Sequence, residues 1–141
     1  MISGEVPDPP MARLLGYRIV EAEPGRAVLT ATPGEQHCNP FGTVHGGYTS
    51  TLLDTALGLA IQTGLPKGRT STTVELAVKL VRAITPATGP LRVEARLVHV
   101  GSRIGTAEAR VVDAAGKLYA HGSTTCLVLE AETGKGKGKR A

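Results

Sequence analysis

The run Asn39-Pro40-Phe41-Gly42-Thr43-Val44-His45-Gly46-Gly47 is followed, nine residues after its histidine, by Asp54 within Leu52-Leu53-Asp54-Thr55-Ala56. A His-Gly-Gly opening an apolar helix presents backbone N–H groups, because the first N–H groups of a helix have no partner inside it. The usual capping residues Ser, Thr, Asp and Asn are missing from positions 45 to 47. The sequence therefore predicts that the N–H of Gly46 or Gly47 stays free for a ligand oxygen. Neither glycine has a Cβ to keep a ligand away, and the positive end of the helix dipole favours negative charge developing there. With one acid on the second turn of the same helix, these are the parts needed to hold a carbonyl between backbone donors and a carboxylate. The chemistry they suit is hydrolysis at an acyl carbon.

The spacing also says how such a site must be assembled. Asp54 stands eight residues beyond Gly46, roughly 12 Å along the axis of a helix rising about 1.5 Å per residue. Attack on an acyl carbon needs its partners within about 3 to 3.5 Å of the reacting atoms. If both groups are catalytic, they come from different chains. A two-fold axis that sets two such helices antiparallel brings Gly46 of one subunit beside Asp54 of the other, twice per dimer. A lone subunit is then expected to be inactive. Asp54 is predicted to face away from the stripe of Leu53, Ala56, Leu57 and Ala60, on the side of Ser50, Gly58 and Ile61.

The elements that must position these residues follow from periodicity. Pro10 to Gly16 reads as a short helical turn stopped by glycine, a lid or edge cover. Tyr17 to Glu23 and Arg26 to Thr32 are extended and separated by Pro24-Gly25, a hairpin signal. After an irregular stretch over 33 to 45, Thr49 to Gln62 places Leu52, Leu53, Ala56, Leu57 and Ala60 at helical spacing. Beyond Gly64-Leu65-Pro66-Lys67-Gly68 the period becomes two, with Val74, Leu76, Val78 and Leu80 predicted on one face of a long strand. Leu91, Val93, Ala95 and Leu97, then Ala107, Ala109 and Val111, alternate with polar positions as half-buried antiparallel strands do. Asp113-Ala114-Ala115-Gly116 turns into a last strand over Lys117 to Leu129. Two strands, one helix and then about four strands in a meander define an α+β domain, an antiparallel sheet curved around one central helix. The outer sheet face and edges remain for pairing with another copy.

Composition narrows the function. With 141 residues the chain suits one domain, taken as residues 1–129. The segment 130–141 is too rich in glycine and lysine to fold, and reads as a flexible basic tail. The net charge of +4 draws half its excess from that tail, leaving 12 basic and 10 acidic side chains elsewhere, an ordinary balance that demands no polyanion. The four aromatics, Tyr17, Phe41, Tyr48 and Tyr119, do not interleave with basic residues, so nucleic acid is not an expected partner. No run approaches the roughly 20 apolar residues of a membrane span, and no apolar run follows a charged start as in a secretory signal, so neither a span nor such a signal is expected. Two cysteines are too few for a disulfide framework, so a reducing cytoplasm is expected. His37, Cys38, His45 and His121 lack the spacing of a metal site, so no metal ligands are assigned. A Cys38 nucleophile with His45 as base ranks below the acid, because nothing marks a third, orienting group.

Residues 39 to 60 and the strand over 70 to 83 resemble the hotdog-fold acyl-CoA thioesterases of the phenylacetate-degradation (PaaI-like) type. Asn39 six residues before His45, the His45-Gly46-Gly47 triplet, the acid nine after the histidine and Thr73-Val74-Glu75-Leu76 fit that pattern without insertion. The resemblance implies a hotdog fold and hydrolysis of an acyl-CoA to free acid and coenzyme A by a homodimer, often paired into a tetramer. Coenzyme A is then part of the substrate, and no cofactor is required. Carried over residue by residue, Gly46 donates its N–H to the thioester oxygen, while His45 and Asn39 hold the loop or the thioester. Asp54 is base or nucleophile, and Thr73 sits near it and orients water, with Thr72 as substitute and Gly47 among the substrate contacts. Where the family commonly has arginine-proline, Arg82 is followed by Ala83-Ile84-Thr85-Pro86. Arg82, and Arg103 in the Gly101-Ser102-Arg103-Ile104-Gly105 turn, are candidate contacts for the CoA phosphates. The acyl pocket is expected to be lined by Tyr48, Ser50, Leu57, Gly58 and the N-terminal turn. The rivals are a hotdog hydratase or dehydratase, whose His-Phe-Pro-Gly signature is missing, and a non-catalytic acyl-CoA-binding module.

Overall fold

A computed structural model describes residues 8–132. Six strands and one long helix make up most of it. A short helix α1 (Pro10–Leu15) leads in, with proline in its first turn and Gly16 at φ 77° closing it. It is followed by β1 (Tyr17–Glu23) and β2 (Arg26–Ala31), the hairpin that Pro24-Gly25 signals. The central helix α2 runs over Gly46–Gly64, three residues earlier and two later than the apolar spacing marks. Four longer strands then follow, β3 (Arg69–Leu80), β4 (Leu91–Val100), β5 (Ile104–Asp113) and β6 (Leu118–Glu130). Glu130 thus belongs to the last strand, and Ala131 donates its N–H to the Gly68 carbonyl at 2.9 Å. The rest of the expected tail, from 133 on, lies outside the described residues.

All six strands form one antiparallel sheet in the order β1-β2-β4-β5-β6-β3. This corrects the simple meander: of the four strands after α2, only β4, β5 and β6 are consecutive neighbours, whereas β3 crosses to the far edge and pairs with β6. The crossing follows from the helix, because α2 delivers the chain across the concave face and β3 returns beside β6 rather than β4.

The concave face wraps α2. Leu52, Leu53, Ala56, Leu57, Ala60 and Ile61 are fully buried against Ala27, Leu29, Val93, Ala95, Ala107 and Val111. Burying each large aliphatic side chain stabilises the fold by about 1.5–3 kcal/mol. Ile61 is part of this core, which corrects its expected place beside Asp54. The polar side of the helix satisfies itself: Ser50, Thr51 and Thr55 each return their hydroxyl to the carbonyl one turn back, at 2.7 to 2.9 Å.

Strand β3 also departs from the period-two expectation. A bulge between Thr73 and Glu75 inserts Val74 as an extra residue opposite β6. Leu76 and Val78 pack onto the core, whereas Val74 and Leu80 stand 59% and 55% exposed.

Candidate active site

The segment leading into α2 is tied down before the helix begins. Asn39 uses both ends of its amide locally, donating to Thr43 Oγ1 at 2.6 Å and accepting from the Phe41 N–H at 2.9 Å. The Asn39 N–H reaches the Thr43 carbonyl, and Gly42 adopts φ 82° to close the turn. Val44 and His45 then anchor through their N–H groups to the carbonyls of Ile84 and His37, both at 2.8 Å. Asn39 therefore shapes the loop, and Phe41 at its tip is 92% exposed.

His45 is the N-cap of α2, and its Nδ1 accepts the Gly47 N–H at 2.8 Å. This corrects the expectation of an uncapped start: an imidazole takes the place of the missing Ser, Thr, Asp or Asn, and Gly47 is not a free donor. Gly46 differs. Among the described residues, no hydrogen bond uses its N–H, and a Cβ there would lie 2.7 Å from Leu80 Cδ1. The helix thus opens with one available donor under an apolar side chain from the end of β3.

About two turns further along, Asp54 is half-buried with Ser50 and Gly58. Thr73 Oγ1 donates to Asp54 Oδ1 at 3.1 Å across the gap between β3 and α2. Thr72, its neighbour, points to the other face as strand alternation requires and makes no such bond. Because α2 is unbroken from Gly46 to Gly64, the estimate of roughly 12 Å between the Gly46 donor and the acid stands for one chain.

Arg82 and Arg103 lie elsewhere. The Arg82 guanidinium stacks over the Tyr119 ring, 5.9 Å from its centroid, and its Nε donates to the Leu118 carbonyl at 3.4 Å. Arg103 is exposed in the β4–β5 turn, beside Ser102, whose carbonyl accepts from Arg69 at 2.7 Å. Nothing brings either arginine to Asp54.

Beside the start of α2 is an open groove of about 470 Å³, between Met11 and Leu14 of α1 and His45, Gly47, Tyr48 and Thr51 of α2. Leu57, expected to line an acyl pocket, is fully buried in the core instead. Tyr48 packs its ring on His37, 4.3 Å between centroids, and burial pushes its phenol above the ordinary value. Its hydroxyl is buried with no hydrogen-bond partner. Among the described residues no group of three or more His, Cys, Asp or Glu is placed to hold a metal ion. No helix among them is long and apolar enough to cross a membrane.

Known proteins share this arrangement of one helix in a six-stranded sheet. The pattern of the Thioesterase superfamily matches residues 41–120, more than half of the chain, including the loop from Phe41 on, the helix and Thr73. The chain belongs to the Thioesterase superfamily. A provisionally named esterase of Halobacterium salinarum is 38% identical over 117 residues, spanning 79% of this chain and 76% of that protein. A crystal structure from Ralstonia eutropha, provisionally described as a thioesterase and phenylacetic acid degradation-related protein, superposes with a TM-score of 0.80 at 28% identity. It covers 90% of this chain and 96% of that one. Acyl-coenzyme A thioesterase 13 of Homo sapiens is 40% identical over a shorter stretch of 50 residues, 35% of this chain and 36% of that protein. The protein is a thioester hydrolase with a hotdog fold, similar to the phenylacetate-degradation type.

Three features of this thioesterase were not legible in its sequence: the imidazole cap, Leu80 against Gly46, and the buried Cys126 of β6, which stands opposite Thr73 with Sγ 3.8 Å from its Oγ1. The first had a signal, since a histidine immediately before the helix can cap it. The others depend on strand register, which no local pattern carries.

Proposed function

We propose that this thioesterase hydrolyses acyl-CoA thioesters to free acid and coenzyme A, in a homodimer whose active sites each combine two chains. Gly46 of one subunit donates its N–H to the thioester oxygen, and Asp54 of the other removes a proton from water or attacks the carbonyl carbon itself. By either route water supplies OH to the acyl carbon, the C–S bond breaks and the thiolate leaves, protonated to free CoA. Thr73 orients Asp54 through Oδ1 and leaves Oδ2 for water or the carbonyl carbon. His45 and Asn39 hold the loop and the helix start so that the Gly46 N–H points outward. The groove beside Tyr48 receives the acyl group, and Arg82 and Arg103 are assigned to the CoA phosphates with Thr72 and Gly47 nearby.

The single observation that carries this reading is the pairing of one unused donor at Gly46 with one threonine-held acid at Asp54, on a helix too straight for both to serve one carbonyl. Support for the dimer comes from the bare outer edge of β3, where Val74 and Leu80 are exposed. Pairing of two such dimers into a tetramer belongs to the same reading. Support for acyl-CoA as substrate comes from the similarity to the human acyl-coenzyme A thioesterase. Both thiols are free, in keeping with work in a reducing cytoplasm.

Thiol release from aryl and fatty acyl-CoAs, with hydration of an enoyl-CoA followed in parallel, tests the reaction. Thiol release is expected; hydration alone identifies a hydratase, and binding without turnover a carrier. Mixing Gly46→Val with Asp54→Asn subunits tests the shared site. Each variant alone is expected to be inactive, and the mixture to regain about a quarter of wild-type activity, since half of the dimers then hold one intact site of two. A mixture as inactive as its components refutes the shared site.

A further inference from the structure

Cys126 lies on β6, directly opposite Thr73 of β3 in the strand register, and is 1% exposed. Its Sγ is 3.8 Å from Thr73 Oγ1 and 4.0 Å from Thr124 Oγ1. The proton inventory decides the direction of these contacts. A threonine hydroxyl has one proton to give and a thiol has one, a weak donor. Thr124 gives its proton to the Glu75 carbonyl at 2.8 Å, and Thr73 gives its proton to Asp54 Oδ1 at 3.1 Å. Neither hydroxyl can then donate to sulfur, so the thiol is the donor, and Thr73 is the nearer acceptor.

We propose that Cys126 is a positioning residue: its S–H donates to Thr73 Oγ1 and locks the hydroxyl proton of Thr73 onto Asp54. The chain runs Cys126 S–H to Thr73 O–H to Asp54 carboxylate, from the core to the site. Such a hold matters here because the bulge at Val74 follows Thr73 immediately, where the ladder with β6 is interrupted and the backbone alone orients the side chain least well. A second hydrogen bond to Oγ1 removes the freedom of the hydroxyl to turn toward solvent, and successive donors polarise one another in the same direction. Removing the thiol proton leaves the threonine in place and its rotor free.

This inference rests on the reading of Asp54 and Thr73 above, so it is tested first without activity. In Cys38→Ser protein the only thiol is Cys126, and its S–H stretching band in the infrared reports its acceptor. Thr73→Val is expected to move that band to higher frequency, and an unmoved band overturns the hydrogen bond. In steady-state thiol release Cys126→Ala is expected to lower kcat about three- to tenfold, the scale of one weak hydrogen bond. KM and Tm should stay near wild type, and Cys126→Ser should recover most of kcat. An unchanged kcat in Cys126→Ala, or a loss that tracks Tm and is not recovered by serine, refutes the positioning role. If instead Asp54→Asn retains full activity while the infrared band still moves with Thr73→Val, the reading of the reaction fails and the thiol contact stands.

Discussion

The two edges of the sheet are built on opposite plans. At one edge β1 is seven residues long, bulged between Ile19 and Glu21, flanked by α1 and charged through Arg18, Glu21 and Glu23. Glu21 is bound into a network with Arg26, Arg92 and Glu94, and the Arg26 guanidinium beside it holds its carboxyl below the ordinary value. At the other edge β3 is twelve residues long, pairs only with β6 and exposes Val74 and Leu80. Both edge strands carry a bulge, so the difference lies elsewhere: shortness and charge blunt the β1 edge against pairing, whereas length and exposed apolar side chains invite it along β3. The edge left bare is also the one carrying Thr73, Asp54's partner, and Leu80, which covers Gly46. In the shared-site dimer proposed above, assembly and catalysis meet on the β3 side, and the β1 side is blunted against pairing.

The largest expected effect breaks the catalytic half of this contrast. Asp54→Asn should reduce thiol release by more than about a hundredfold, the scale of a lost general base, with the oligomer unchanged in light scattering. Next, paired Val74→Lys and Ala77→Lys substitutions charge the bare edge, and are expected to shift the protein to monomer in sedimentation and lower specific activity about tenfold. The matched change on the blunted edge, Val20→Lys, should alter neither; equal sensitivity of the two edges would erase the distinction. Smaller again, His45→Ala removes the cap from the Gly47 N–H and should lower stability by about 1 kcal/mol in denaturant titration.

The smallest effect lies away from both edges, in the β5–β6 turn. Asp113 accepts the N–H groups of Lys117 and Ala115 at 2.9 and 3.0 Å and the Tyr119 hydroxyl at 3.1 Å. These bonds, the Lys117 N–H foremost, hold its carboxyl below its ordinary value of 3.8. A lowered folded-state pKa means that the stabilisation is fully present above the unfolded value and is lost as pH falls through the folded one. Asp113→Asn should therefore flatten the fall of Tm below about pH 4, measured against wild type by calorimetry, without changing turnover at neutral pH.

Much of the fold is legible in the chain itself. The apolar spacing of Leu52, Leu53, Ala56, Leu57 and Ala60 marks a helix with one face for a core. The alternation through Leu91–Leu97 and Ala107–Val111 marks strands with one face inward, and all of those positions but the half-buried Leu97 are buried. The sequence was misleading where a local pattern met a long-range partner. Val74 matches the period of Leu76 and Val78, yet the bulge against β6 turns it outward. Gly46 and Gly47 read alike as free donors, yet the imidazole of His45 folds back onto Gly47.

By itself, the sequence determined the elements, the single buried helix face and the eight-residue interval between Gly46 and Asp54. These are local properties, written in periodicities of 3.6 and 2 and in the fixed rise of a helix. Only the tertiary structure decided that β3 crosses to β6, that Thr73 Oγ1 bonds Asp54 Oδ1 as the family resemblance implied, and that Cys126 stands behind it. Those depend on register between strands some fifty residues apart in the chain. Register is set by the summed packing of the whole sheet around α2, and a shift of one residue would turn every one of those side chains to the other face.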